Sequence, residues 1–422
     1  MLRPLRLAAG WSIALLAAML LNLALARPIA APEAVTLSGG GATLASPIPT
    51  TPVPEIPIDR LPTFVGATPG GEIAGEIGGD IGGGSARPVE LAPLTARQAA
   101  ALQAATDRAR AAFGLSALAI GVSLDASSGW TGASGVALDG VTRLDGDSPF
   151  AIASITKTFT AALVLQLIGE GRLSLHDRVA ELLPHLPIAA DVTVAQLLRH
   201  TSGIADLLTP LRDRLNAATE RIWQPGEVVA EVGQPWFAPG TAWGYSNTNY
   251  LLLGMIVERV GGQPFKKQLQ ERLLSPLGLD STGELLAHGA PPLMAPSWAS
   301  AFGASGCMYA SPHDLLRWGD ALYGGRVLAP RELSHMLDFR SHGYGMGAER
   351  IRVGQESGYG HSGLLRGFTS LVVHLPDSGI TLVVMGTLNI FDPAAVLAHR
   401  EGQDPSILDL ALQAAAAAEK AA

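Results

Sequence analysis

The chain has 422 residues, 48% of them hydrophobic and 16% charged, with a formal net charge of −8. That length allows two domains, or one large domain with appendages, and the composition fits a well-buried core. The acidic balance, with no basic cluster beyond the first few residues, argues against nucleic acid as a partner, and a single cysteine, Cys307, excludes an intramolecular disulfide.

Arg3 and Arg6 precede an apolar run over residues 7–25, and Ala24-Leu25-Ala26 is a small-residue cleavage site. Residues 1–26 therefore read as a signal peptide. The run is near the roughly 20 residues that cross a bilayer, so an uncleaved membrane tether through residues 7–26 is the alternative. Export without a disulfide suits a bacterial periplasm or the extracellular side. Residues 27–92 are rich in Pro and Gly, as in Gly39-Gly40-Gly41, Pro52-Val53-Pro54 and Gly82-Gly83-Gly84. Such a segment buries no core and reads as a disordered linker.

The folded domain is expected over residues 93–422. Thr95-Ala96-Arg97-Gln98 is a capping box that opens a helix running to Phe113, with Gly114 as its stop. Residues 116–124 and 129–137 are strand-like, joined by a polar turn. A helix follows from Ser154. Residues 173–285 read as mostly helical, broken at Pro184, Pro187, Pro225 and Pro239-Gly240, with a second capping box at Thr193. Residues 368–375 and 380–388 are β-branched runs joined by Pro376-Asp377-Ser378-Gly379, a hairpin. Residues 404–418 close the chain as an Ala-rich helix. Strands at both ends around a helical block predict an α+β fold. Both termini would build one antiparallel sheet flanked by helices, and the middle would form an inserted all-helical lobe.

Ser154-Ile155-Thr156-Lys157 carries the chemical signal. Serine and lysine three apart on a helix share a face. A serine hydroxyl needs a base, and a lysine becomes one when burial removes its proton. Lys157 is the only charged residue between Ala151 and Gly169, and the chain has only four lysines among its 29 basic residues. S-x-x-K also arises by chance, and a lysine can reach from an apolar helix to the surface. Tyr245 and Asn247 lie in Trp243-Gly244-Tyr245-Ser246-Asn247. There Tyr245 can relay a proton and Asn247 can bond a substrate amide; the plain reading is a core aromatic and a helix cap. Gly360-His361-Ser362-Gly363 precedes a strand pattern. It reads either as a Gly-rich turn or as the start of an edge strand that pairs with substrate and offers a backbone N–H to an oxyanion.

Taken in order, Ser154-x-x-Lys157, Tyr245-Ser246-Asn247 and His361-Ser362-Gly363 resemble the penicillin-recognising serine hydrolases. The resemblance is to the group of class C β-lactamases and D-alanyl-D-alanine carboxypeptidases, with their related esterases and D-aminopeptidases. It covers residues 94–388, and the stretch Arg199-His200-Thr201-Ser202-Gly203 supports it. The resemblance implies a β-lactamase/transpeptidase-like fold and an acyl-enzyme on Ser154. Lys157 and Tyr245 would share general-base duty, and Asn247, His361, Ser362, Gly363 and Leu364 would bind substrate. The oxyanion hole would use the N–H groups of Ser154 and Leu364. No cofactor or metal is implied. The substrate would be a D-Ala-D-Ala-type peptide of peptidoglycan or a small ester, with loops near Trp223, Trp236 and Trp298 deciding between them. Class C β-lactamases usually carry Lys-Thr-Gly as the third motif. His361 in its place is less cationic, which fits the peptidase and esterase branches better.

Three alternatives remain open at this point: a β-lactamase, a non-catalytic penicillin- or wall-binding module, and an α/β-hydrolase. The third is weak, because Gly360-His361-Ser362-Gly363-Leu364 lacks the last glycine of the G-x-S-x-G elbow. A metal hydrolase is disfavoured because no H-E-x-x-H occurs.

Overall fold

The computed structural model describes residues 91–420, apart from residues 189, 341, 366 and 388–390. The expected signal peptide and nearly all of the linker lie outside the described residues.

Among the described residues, ten strands form two sheets. In chain order they are β1 (Ala92–Pro93), β2 (Ala117–Leu124), β3 (Ser128–Gly135), β4 (Phe150–Ala151), β5 (Gly283–Glu284), β6 (Met308–Ala310), β7 (Glu349–Val353), β8 (Glu356–Leu365), β9 (Phe368–Leu375) and β10 (Ile380–Thr387). The large sheet has the order β1-β3-β2-β10-β9-β8-β7. Both ends of the domain thus build one sheet, with β2 of the N-terminal part paired antiparallel to β10 of the C-terminal part. Every pair in it is antiparallel except the two-residue β1, which runs parallel to β3 and ties the last linker residues to the domain.

The sheet is buried on both faces, as its continuous apolar runs require. Strand alternation sorts the residues. Leu382 and Val384 of β10 face one core, and Val383 and Met385 face the other. Helix α1 (Ala96–Ala112) covers the first face, and it begins at the capping box on Thr95 and Gln98. Gly114 follows it with φ of +63°, a conformation that glycine adopts without steric cost. The second face carries α2 (Thr156–Gly169), α3 (Asn247–Gly261) and α4 (Pro312–Tyr323) in one continuous core. The C-terminal helix α5 (Ile407–Glu419) joins α1 on the first face.

The middle segment departs from an all-helical lobe in one respect. Its helices range from short ones, such as Val194–Leu198 and Pro225–Glu231, to the long α3, but the segment ends in strand β5. Strand β5 pairs with β6, and β6 pairs with β4, making a three-stranded sheet just before Ser154. These strands have two or three residues each, too short for a period-2 signal. Of the two readings of the third motif the structure takes the strand: His361, Ser362 and Gly363 lie inside β8, which has glycines at 358, 360 and 363. Glycine masks a strand signal because it contributes no apolar side chain.

Candidate active site

Ser154 sits on a single 3-10 turn, Ala153–Ile155, that feeds directly into α2. Two contacts hold that turn. Behind it, β4 pairs with β6 and the Ile152 N–H donates to the Met308 carbonyl at 3.0 Å. In front, the Ile152 carbonyl accepts from Ser370 Oγ at 3.0 Å and lies against Gly363, where any Cβ would collide with it. Gly363 is therefore the residue that lets the nucleophile turn close onto β8. Ala153 has φ of +48°, a strained value for a residue with a side chain, placed directly before the nucleophile.

Helix α2 is buried nearly all round, as its apolar sequence requires. Phe159 stacks on Trp318 with ring centroids 3.8 Å apart, and Trp318 Nε1 donates to Thr158 Oγ1 at 2.8 Å. Thr160 Oγ1 donates to the Ala304 carbonyl. This packing leaves Lys157 with no exposed surface. Its Nζ lies 3.1 Å from Ser154 Oγ, 2.8 Å from Asn247 Oδ1 and 2.7 Å from the Ser305 carbonyl. Burial pulls the ammonium down to about 7, against the attraction of Asp206 and Glu349. As a free amine, Lys157 donates its two protons to Asn247 and Ser305. Its lone pair is then left to accept the Ser154 hydroxyl proton. The structure thus brings Ser154 and Lys157 together on one helix turn.

Tyr245 and Asn247 come from the start of α3. The Tyr245 hydroxyl reaches the Ser154 side chain, and its ring lies 4.9 Å below Lys157 Nζ. Burial pushes its phenol well above 10, so a phenolate is disfavoured. For the expected sharing of base duty with Lys157 this means that Tyr245 stands beside Ser154 as a neutral hydroxyl and not as a phenolate. Asn247 bonds Asp206 through its backbone N–H and through Nδ2, the latter at 2.9 Å. A carboxylate only accepts, so Asp206 fixes the amide with Oδ1 towards Lys157. Burial raises the Asp206 carboxyl from its ordinary range, while the Asn247 and Leu208 N–H groups pull it down.

His200 supports the Tyr245 loop from below. Its φ is +59°, and its carbonyl accepts from the Gly244 N–H at 3.0 Å. Its Nδ1 meets the Ser246 N–H and Asn249 Nδ2, which are both donors, so the proton resides on Nε2. The ring packs against Tyr245 at 4.4 Å and Tyr344 at 4.8 Å, and burial holds its pKa well below 6.5.

The third motif lines the other side. His361 is fully buried. Its Nδ1 bonds the Ser362 carbonyl at 2.6 Å and so carries the proton. Its Nε2 accepts from the Tyr344 hydroxyl at 3.0 Å. Burial, with Lys157 nearby, pushes its pKa down to about 3. His361 is therefore neutral with both nitrogens engaged within the protein, which leaves neither for the substrate contact expected of it. Ser362 is also turned inward, donating through N–H (3.3 Å) and Oγ (2.9 Å) to Glu349 Oε2. Strand β7 stops pairing at Glu349, opposite Gly360, so the outer edge of β8 beyond that point has no strand partner. The Ser362 N–H points to that edge, and alternation points the Leu364 N–H the same way, where an oxyanion donor is needed. Of the three tryptophans expected near the substrate, Trp223 and Trp298 are core residues, and Trp236 alone is exposed.

Sequence reasoning missed Asp206, Glu349, Tyr344 and the Ser305 carbonyl. None sits in a motif that marks it. His200 was visible only inside the Arg199-His200-Thr201-Ser202-Gly203 stretch.

The family model for beta-lactamase matches residues 102–403. A penicillin-binding protein 4 of Amycolatopsis lactamdurans is 32% identical over 278 residues, covering 57% of this chain and 72% of that protein. Among solved structures, a D-stereospecific amidohydrolase from Streptomyces superposes with a TM-score of 0.60 at 30% identity, covering 68% of this chain and 94% of that one. A D-amino acid amidase from Ochrobactrum anthropi SV3 superposes with a TM-score of 0.64 at 25% identity, covering 77% of this chain and all of the other. With a serine and a buried lysine at the start of one helix, a β-lactamase/transpeptidase-like fold and this family match, the chain belongs to the beta-lactamase family of serine hydrolases.

Proposed function

We propose that the protein is an exported serine hydrolase that opens amide or ester bonds of small D-configured substrates through an acyl-enzyme on Ser154. The observation that carries this is Lys157 Nζ, fully buried, held down to about 7 and 3.1 Å from Ser154 Oγ. In the first half-reaction Ser154 Oγ attacks the carbonyl carbon and its proton passes to Lys157 Nζ. The oxyanion is met by the N–H groups of Ser154 and Leu364. The intermediate collapses as the leaving amine or alcohol takes a proton from Lys157, relayed through the Tyr245 hydroxyl. A water then gives its proton back along the same route, attacks the ester and releases the acid.

The two solved amidases similar to this chain support a D-amino acid amide as acyl donor, beside the D-Ala-D-Ala-type peptide implied by the penicillin-binding relative. Export, to the periplasm or the extracellular side, rests on the Arg3/Arg6 and 7–25 pattern of the sequence, with the same run as membrane tether if it is kept. The test is turnover by the purified protein of D-phenylalaninamide, N-acetyl-D-alanyl-D-alanine, p-nitrophenyl acetate and a chromogenic cephalosporin, with Ser154→Ala as control. Turnover of an amide or ester that vanishes in Ser154→Ala is expected. A folded wild-type protein that gives no burst and no turnover with any of them would instead be a binding module. A strong preference for the cephalosporin would make it a β-lactamase.

A further inference from the structure

Every hydrogen-bond donor that His361 and Ser362 could offer to a ligand is engaged inside the protein. The His361 Nδ1–H donates to the Ser362 carbonyl, and its Nε2 is an acceptor filled by Tyr344. The Ser362 N–H and Oγ–H both donate to one oxygen of Glu349. The other oxygen, Glu349 Oε1, lies 3.8 Å from His361 Nδ1. Glu349 is itself buried at the point where β7 stops pairing with β8. His361 and Ser362 therefore keep no free donor for a ligand, and the Glu349 carboxyl group lies behind them. A carboxylate ligand needs charge-assisted donors or a cation. Among the described residues of β8 beyond Gly360, the outward Leu364 N–H is the remaining donor, and it serves the oxyanion.

We propose that Glu349 is a specificity-determining residue: by engaging both donors of Ser362 and placing a carboxyl group behind them, it makes the site reject substrates with a free carboxylate beside the scissile bond. The substrate class is then amides and esters whose leaving side is neutral or carries an amine, so the enzyme works as an amidase or esterase and not as a carboxypeptidase. Discrimination here comes from an unfavourable element built against the wrong substrate. This rests on the serine-hydrolase reading above and deepens it.

The test compares kcat/KM for N-acetyl-D-alanyl-D-alanine and for its C-terminal carboxamide, which differ only in the carboxylate. Where a peptide turns over too slowly, its competition against p-nitrophenyl acetate hydrolysis supplies the same ratio. Wild type is expected to prefer the carboxamide by at least about tenfold, the worth of one charge-assisted contact. Glu349→Gln keeps the shape and an acceptor for Ser362 but removes the charge, and should shrink the preference about tenfold, mainly by improving the carboxylate substrate. A purely structural role would weaken both substrates equally. If Glu349→Gln does not fold, Ser362→Ala takes its place. It removes the hydroxyl bond to Glu349 Oε2 while the backbone N–H bond stays, leaves the carboxylate less neutralised and should widen the preference. A wild-type preference for the free carboxylate overturns the assignment, as does an unchanged ratio in the variant. Ester turnover continuing in either case leaves the hydrolase reading standing; loss of ester turnover in wild type removes both.

Discussion

Lys157→Arg separates a proton acceptor from a structural cation. A lysine with its ordinary value near 10.5 has only about one free amine in a thousand near neutral pH, whereas one at about 7 has roughly half. Burial against the Tyr245 and Tyr250 rings therefore raises the supply of base by about a thousandfold. Arginine keeps the charge but does not deprotonate in a protein, so that supply is lost. A positioned general base contributes about 10²–10⁴ in rate. The Arg variant should accordingly lose about 10³ in the acylation rate. The guanidinium must also fit a site with no exposed surface, so the variant should melt at lower temperature. Lys157→Met is the matched control: equally inactive, yet at least as stable, because a buried charge is replaced by an apolar group of similar length. The assay is the stopped-flow burst with p-nitrophenyl acetate from about pH 5.5 to about pH 9. Wild-type acylation should rise with pH through about 7 and then level, because the base is the deprotonated amine. Glu349 is also raised to about 7 by burial, so this limb belongs to the coupled pair. Asp206, Tyr245, Tyr250, His200 and His361 also act on or face Lys157. An Arg variant within tenfold of wild type, with the same pH limb, would show that Lys157 is not the base.

Gly363→Ala should slow acylation by about ten- to a hundredfold, because its Cβ collides with the Ile152 carbonyl and overpacking costs about 1–3 kcal/mol; a wild-type burst in this variant would show that the turn does not depend on the close approach. Asp206→Asn places an amide where Asn247 needs an acceptor, turning Asn247 Oδ1 from Lys157. A fall of at least about tenfold in kcat/KM is expected, and an unaltered value would mean that Asp206 does not orient Asn247. Tyr245→Phe keeps the ring against His200 but removes the hydroxyl that reaches Ser154. The burst should slow by about a hundredfold with little change in melting temperature, and an unchanged burst would remove Tyr245 from the proton path.

Long periodic segments were legible in the sequence. The capping boxes at Thr95 and Thr193 form as read, and strands β2, β9 and β10 lie within a residue of their predicted limits. The exception is the end of β10, where residue 388 lies outside the described residues. Strand β8 was not legible, because its glycines hide the apolar alternation, nor were β4, β5 and β6, which have too few residues for any period. The pairing of Ser154 with Lys157 was legible because both lie on one helix turn and their spacing is a local matter. Asp206 and Glu349 were not, since each acts through a partner far along the chain: 41 residues separate Asp206 from Asn247, and 13 separate Glu349 from Ser362.

The sequence by itself determined the α+β order of elements, the placement of Ser154 and Lys157 on one helix turn, and the family. Each rests on residues close in sequence, or on motifs whose order survives folding. Tertiary structure alone decided the protonation states and the character of the third motif. Lys157 is held down to about 7 because α3, the Ser305 segment and the sheet close around it and exclude water. His361 is neutral and Ser362 turned inward because Tyr344 and Glu349 reach them from the end of β7. Such contacts depend on which strands become neighbours and where their pairing stops. Local propensity carries no record of either.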